Sequence, residues 1–412
     1  MAKFNVMDLF AGCGGLSEGF EQSGHYHMSA HVEWESVPCA TLIKRMHEKW
    51  GYSDADKRVM RFDIQRSEEL LGGWKNDSKF GSGDGLIKTV SGDGLDIIIG
   101  GPPCQAYSVA GRIRDEHGMH FDYRNYLFES YLKVVKHFKP KLVVFENVVG
   151  MLSAKPGGRS IVLLIREAFN SVGYEIIEDM RQKAIIDFSD YGVPQKRSRV
   201  IIIGLNKKIF KGDRRKILND FYDTLLPKYK VRKKTTVQQS IGDLPPFYPS
   251  KREYRFNGRN CSHEPPGSDI PNHYPRYHNL RDIGIFRDLA GDLKTGSNNY
   301  SSVEKIKVLY TERTGKTSNI HKYFVLRPGE PSNTIPAHLF KDGLRHIHPD
   351  PKQSRSISVR EAARLQTFPD DFVFLGAMGD QYKMIGNAVP PLFGKILGHS
   401  IADLFHNINP DG

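Results

Sequence analysis

Cysteine is scarce. The 412 residues hold four, Cys13, Cys39, Cys104 and Cys261, and no two form a CxxC pair. That is too few and too scattered for a disulfide framework, and no zinc spacing is present. No metal is therefore expected, and a reducing cytoplasm is the simplest compartment. Long apolar runs are also missing. Nothing approaches the ~18 continuous apolar residues of a bilayer span, which makes a membrane protein a poor reading. The first residues, MAKFNVMDLF, contain an acid at Asp8 and no small-residue cleavage site. They read as a strand, not as a secretory signal. No internal repeat is visible.

What is present suffices for a folded core. Apolar residues make up 39% and charged residues 26% of the chain, so global disorder is a poor reading. The length suggests two or three domains, or one large domain with an insertion. The formal net charge is +12 and is unevenly spread. Residues 206–355 hold 29 Lys+Arg and 15 Asp+Glu, against 30 and 32 in the rest. A solvated basic surface is the plain alternative. A polyanion-binding face is favoured, because aromatics interleave with the cations. Tyr248, Arg252, Tyr254, Arg255, Phe256 and Arg259 form one such run, and Tyr274, Arg276, Tyr277 and Arg281 another.

Residues 1–205 alternate strand-like and helix-like segments. Phe4–Phe10 is a short, mostly apolar run, and Leu95–Ile99, Leu142–Phe145 and Val200–Gly204 are apolar runs rich in β-branched residues. Such runs fit strands buried on both faces. Helical patterns cover Tyr126–Phe138 and Ile161–Val172. The alternation predicts an α/β fold, a doubly wound, mostly parallel sheet whose carboxyl strand ends line the ligand crevice. From about 206, Pro and Gly clusters interrupt the pattern and point to a smaller, irregular second domain. A helical pattern returns at VREAARLQTF. The expected division is 1–205 plus 377–412 for the first domain and 206–376 for the second.

Five segments carry chemistry. Asp8–Gly15 (DLFAGCGG) feeds a Gly-rich turn into a helix, which lets backbone approach a ligand, although an ordinary βα turn would look alike. Glu33 follows ~20 residues later, where an acid can bind a ribose diol. Asp63 is in reach of an adenine edge, so an adenosine-type cofactor is favoured over a bare turn. In GGPPCQ, Cys104 sits past a buried strand, as a nucleophile or as buried filler. Glu146 ends another apolar strand, where burial would suit a proton donor; a structural acid or helix cap is the alternative. Gln195–Arg199 (QKRSR) precedes a strand, and alternation puts Arg197 and Arg199 on one face. Gly386–Pro391 (GNAVPP) is the fifth, with a plain turn as its alternative.

FAGCGG, GGPPCQ, ENV, QKRSR, REAARLQTFPDDF and IGNAVPP occur in that order. The series resembles the DNA cytosine-5 methyltransferases, most closely the bacterial restriction–modification enzymes and their solitary relatives, over about 1–205 and 355–395. The resemblance implies an S-adenosylmethionine-dependent methyltransferase fold with a separate DNA-recognition domain. It implies methyl transfer from S-adenosylmethionine, which leaves S-adenosylhomocysteine, to carbon 5 of a flipped-out cytosine in a specific duplex sequence.

The same resemblance assigns residues. Cys104 is the thiolate that adds at carbon 6, Glu146 the group at ring N3, Arg199 the contact to the cytosine carbonyl and Arg197 one near the adjacent phosphate. Phe10, Gly12, Cys13, Gly14, Gly15, Glu33, Trp34, Asp63, Ile64, Pro103, Leu127, Asn387 and Ala388 would line the cofactor. Residues 105–123 resemble the mobile loop after the nucleophile, with Ser108, Gly111 and Arg112 toward DNA. Thr334 would lie near a phosphate, and Arg252 and Arg255 belong to the basic face. Double-stranded DNA is the expected partner. A restriction endonuclease acting on the same target site, without a stable complex, is a further partner that such enzymes can have. The expected enzyme is a cytoplasmic monomer, associated with the nucleoid through DNA. An RNA-methylating relative and a silent DNA-binding homologue are the other readings; the basic window disfavours the first, and retention of both Cys104 and Glu146 the second.

Overall fold

The computed structural model describes residues 3–92, 94–102, 127–155, 158–256, 258–264, 267, 269–319, 322–341 and 343–408, with the backbone alone at 252–254, 256 and 259. The chain forms two compact units. The first comprises Met1–Tyr191, Arg197–Arg232 and Ala388–Gly412, the second Gly192–Lys196 and Lys233–Asn387.

The strands of the first unit are β1 (Phe4–Leu9), β2 (Tyr26–Glu33), β3 (Val59–Arg61), β4 (Trp74–Asp77), β5 (Gly81–Gly83), β6 (Ile97–Gly100), β7 (Leu142–Val148), β8 (Tyr174–Ile176), β9 (Ile185–Asp187) and β10 (Ser198–Asn206). Eight of them make one sheet in the order β3-β2-β1-β6-β7-β10-β8, with β9 also paired to β10. The apolar runs explain its centre. Ile97–Gly100, Leu142–Phe145 and Val200–Asn206 are buried throughout, as strands covered on both faces must be. β3, β2, β1, β6 and β7 are parallel. The expected mostly parallel α/β sheet is observed, with one departure: β10 runs antiparallel to β7, and β8 and β9 antiparallel to β10. Between β6 and β7, Tyr131 of the helix Leu127–Phe138 donates its hydroxyl to Val144 O at 3.0 Å and Ile98 O at 3.1 Å.

Helix α1 (Gly15–Ser23) follows β1, and α2 (Ser36–Glu48) follows β2. Arg45 of α2 holds Glu18 of α1 through two hydrogen bonds, 2.9 and 2.7 Å long, in the interior. The last helix, Pro391–Ile408, packs against α1 almost backbone to backbone. A Cβ on Gly19 would stand 2.3 Å from Pro391 O and 2.5 Å from Lys395 N. Tyr26 seals the contact by donating to Gly398 O at 2.6 Å.

The division of the chain differs from the expected one. Residues 206–232 belong to the first unit, because Tyr222 inserts its hydroxyl between Ile201 O (2.8 Å) and Ile203 N (2.9 Å) of β10. Residues 377–387 belong to the second, where Tyr382 donates to Ile357 O at 2.7 Å and Gln366 to Ile385 O at 2.9 Å.

The second unit is less irregular than its Pro and Gly content suggests. It holds the hairpin β11 (Pro249–Phe256) and β12 (Arg259–His263). It also holds the helices Leu280–Thr295 and Val303–Thr314, which share a core of Ile285, Phe286, Leu289, Leu309, Tyr323 and Ile347. The segment VREAARL forms a helix opened by a capping box of Ser358 and Glu361, as S/T-x-x-E predicts. Its Arg360 is fully buried and donates to the carbonyls of Pro271, Pro369 and Phe372 at 2.7–2.9 Å.

Candidate active site

The order of parallel strands reverses between β1 and β6, and their carboxyl ends open the crevice of an open α/β sheet. After β1 the chain turns sharply, with Phe10 (φ 63), Gly12 (φ 56) and Gly14 (φ 84) left-handed. At Gly14 a Cβ would also lie 2.5 Å from Leu42 Cδ1, so this position needs glycine. Cys13 is buried, and burial pushes its thiol up, away from the reactive thiolate.

Glu33 closes β2 directly beside this turn. Its carboxylate accepts from the main-chain N–H of Gly12, Trp34 and Glu35, each at 2.8 Å. Burial raises its carboxyl above the ordinary range, against the pull of those N–H groups. Phe62 N–H donates to Glu33 O at 3.0 Å, which brings the end of β3 alongside. There Asp63 accepts from Gln65 N–H at 3.0 Å and Ile64 is buried. Trp34 remains 45% exposed. Turn, Glu33, Trp34, Asp63 and Ile64 thus share one rim. Leu127 opens its helix as a buried residue, and Ala388 O accepts from Arg197 at 3.1 Å. Asn387 ends the helix Met378–Asn387 of the second unit.

The second cluster stands at the carboxyl end of β7. Because β10 is antiparallel, its amino end lies on the same rim, with Arg199 opposite Val148 and Ile201 opposite Glu146. Arg199 Nε lies 3.1 Å from Glu146 Oε1. Burial raises the Glu146 carboxyl, and Arg199 and then Arg197 pull it back. Arg197 is only 2% exposed; its guanidinium is held below the usual range by burial, then by repulsion from Arg199. The cluster is a carboxyl kept available for protonation, framed by two cations.

Gly101 abuts the same carboxyl. A Cβ there would stand 2.5 Å from Glu146 Oε2. Asn147 Nδ2 donates to Pro102 O at 3.2 Å and pins the segment leaving β6. Pro103, Cys104, Ser108, Gly111, Arg112 and the whole 105–123 loop lie outside the described residues. So does the side chain of Arg252; Arg255 is exposed and its Nε donates to Asn260 Oδ1 at 3.3 Å. In the second unit Thr334 is exposed and donates its hydroxyl to Lys196 O at 2.6 Å, and buried Gln195 accepts from Ile335 N–H at 2.9 Å.

Three features have roles that the sequence reading did not assign, although Asp8, Gly101 and Asn147 lie within its motifs. Asp8 is buried under the turn, accepts from Ser17 Oγ and is pushed up to about 7 by burial; an acid inside an apolar run was its visible signal. Gly101 and Asn147 act on the rim through space. The hairpin β4–β5 brings Lys79 Nζ 3.6 Å from the Trp34 ring centroid, with Phe80 edge-on at 5.7 Å, and no periodicity announces it. Among the described residues no group of three or more His, Cys, Asp or Glu could hold a metal, and no helix is long and apolar enough to cross a membrane.

The first unit thus presents a mostly parallel α/β sheet with a Gly-rich turn, an acid on the next strand and a buried carboxyl–arginine pair at its carboxyl strand ends. The profile of the C-5 cytosine-specific DNA methylases matches residues 4–403. The chain is 33% identical to the type II methyltransferase M.Bpa9945I of Bacillus paralicheniformis, over 97% of this chain and 99% of that protein. It is also 33% identical to the type II methyltransferase M.DdeI of Desulfomicrobium norvegicum, over 98% of this chain and 90% of that one. A crystal structure assigned as a DNA modification methyltransferase from an Escherichia coli prophage shares the fold. Its TM-score is 0.62 at 24% identity, covering 98% of this chain and 100% of that one. The chain belongs to the C-5 cytosine-specific DNA methylase family and is a DNA (cytosine-5)-methyltransferase.

Proposed function

We propose that the enzyme methylates carbon 5 of a cytosine flipped out of a specific duplex sequence, through a covalent bond from Cys104 to carbon 6. S-adenosylmethionine, when bound, supplies an electrophilic methyl group. The first rim suits that cofactor: the left-handed turn at Phe10, Gly12 and Gly14 leaves space where no Cβ contact exists at Gly12, and Glu33, Trp34, Asp63 and Ile64 would hold its ribose and adenine, with Cys13, Gly15, Pro103, Leu127, Asn387 and Ala388 completing the lining.

The chain's own residues divide the reaction. Cytosine carbon 5 is a weak nucleophile. Addition of the Cys104 thiolate at carbon 6 makes it enamine-like, and the electron pair moving onto the ring is met at N3 by a proton or hydrogen bond from Glu146. Arg199 orients the carbonyl oxygen, and Arg197 braces the pair. After carbon 5 gains its methyl group its proton passes to solvent water, and Glu146 takes back the proton it lent to N3. The pair returning from that C–H bond re-forms the ring double bond and expels the thiolate. A stacked base offers no face to sulfur, so extrusion, at a few kcal/mol, must come first. The 105–123 loop, with Ser108, Gly111 and Arg112, would close over the extruded base, and Arg252, Arg255 and Thr334 would bind the duplex.

The observation that supports this reading most is the Glu146 carboxyl, raised by burial and 3.1 Å from Arg199, on the rim that Gly101 and Pro102 reach just before Cys104. Duplex DNA carrying 5-fluorocytosine should trap a denaturant-resistant adduct, because fluorine cannot leave as a proton does. Cys104→Ser should form none while still binding DNA. An adduct that survives the substitution would remove Cys104 from the mechanism. Bisulfite sequencing of DNA from expressing cells reads the target sequence directly.

A further inference from the structure

The hairpin β4–β5 is tied together from base to tip, and the tip meets the rim at Trp34. At the base Trp74 stacks on Phe62, the residue after β3, with ring centroids 4.0 Å apart. The opposite strand leaves that ring no spare room, since a Cβ on Gly83 would stand 2.4 Å from it. Trp74 Nε1 donates to Phe80 O at 3.4 Å. At the tip one carboxylate organises the turn. Asp77 Oδ1 accepts from the main-chain N–H of Lys79 and of Phe80, each at 2.9 Å. Asp77 Oδ2 accepts from Arg66 at 2.6 Å. Arg66 also donates to Glu69 at 2.6 Å and lies over the Phe62 ring, 4.7 Å from its centroid.

This braced tip delivers two side chains to Trp34. Lys79 Nζ stands 3.6 Å from the indole centroid, and Phe80 meets the ring at 71° with centroids 5.7 Å apart. Both contacts suit the indole quadrupole, whose negative face attracts a cation and which favours an edge-to-face neighbour. Trp34 and Lys79 are exposed, so burial does not fix the ring; these two contacts do. A ring held in place before its ligand arrives loses less freedom on binding. We infer that the tip of β4–β5 preorganises Trp34 for the adenosine end of the cofactor, with Lys79 a positioning residue that acts through the indole. The inference rests on the proposed S-adenosylmethionine site at Glu33, Trp34 and Asp63.

The test is calorimetric titration with S-adenosylmethionine, alongside steady-state methylation of duplex DNA, for wild type, Lys79→Met, Lys79→Arg and Lys75→Met, and for Lys79→Met combined with Trp34→Ala. Lys79→Met keeps the aliphatic stem and removes the charge. It should raise the dissociation constant and the cofactor KM about threefold, the size of an exposed cation–π contact, and leave kcat at saturating cofactor unchanged. Lys79→Arg should restore wild-type binding. Lys75→Met removes the same charge from another exposed position of the hairpin and should have no effect. Beside Trp34→Ala, Lys79→Met should change nothing further, as for two residues that act through one contact. An equal loss with and without Trp34 would make the effect a general one and overturn the inference. Tighter binding by Lys79→Met would mean that the ammonium obstructs the ring, and unchanged binding that it does nothing there; either overturns the inference while the cofactor site stands. A wild type that binds no S-adenosylmethionine overturns the cofactor site and this inference with it.

Discussion

At the scale of single residues the rim depends on close approach. Glu146 is kept protonatable by burial and oriented by Arg199, so a side chain that hydrogen-bonds without giving up a proton should fail. Glu146→Gln is expected to lower single-turnover methylation by about 100-fold or more. Wild type should lose rate on the alkaline side as Glu146 ionises, a limb the variant lacks; a near-normal rate for Glu146→Gln would remove the proton-donor role. Gly101→Ala puts a methyl group where Glu146 Oε2 now lies. The carboxyl must move, and a displacement of about 1 Å can cost ~100-fold in rate. The melting temperature should change little, which separates this effect from unfolding. Glu146 and Arg199 were legible in the sequence because each flanks an apolar strand. Gly101 and Asn147 were not, since their partners lie 45 residues away along the chain.

At the scale of elements, strand identity was legible and strand direction was not. LDIII, LVVF and VIIIG announced buried strands by their β-branched runs. Nothing in VIIIG says that it runs antiparallel, yet that reversal brings QKRSR to the rim at all. The helix Val303–Thr314 went unread because it fully buries only Leu309, too little for a visible period. The second unit also stores a pH response. Burial lowers the rings of His263, His346 and His348 to about 4, and those of His273 and His278 as well. Folded rings stay neutral where the unfolded chain's histidines, with pKa near 6.5, are charged. Their stabilisation is complete above about 6.5 and is lost as pH falls toward 4. Glu361 adds to this below about 4.5. Burial opposes its charge, but the bidentate Arg355, at 2.6 Å through both oxygens, holds its carboxyl well below the usual range. The melting temperature should therefore drop steadily between pH 7 and 5; a flat profile would contradict the neutral assignment.

At the scale of the whole molecule, charge and chain order matter. The excess of 14 positive charges within 206–355 predicts DNA binding that weakens steeply with salt. About six phosphate contacts would give a log–log slope near −5, measurable by fluorescence anisotropy, and a flat response would count against a phosphate-binding face. Gly19→Leu should force α1 away from the last helix and cost about 3 kcal/mol, read as a lower melting temperature. That meeting of Gly19 with Pro391 and Lys395 has a temporal side. The helix after the Gly-rich turn stays bare on one flank until Pro391–Ile408 has been made, whereas 233–387 precedes that helix in the chain. Nascent copies would thus hold residues 233–387 before the helix behind the Gly-rich turn gains its last neighbour.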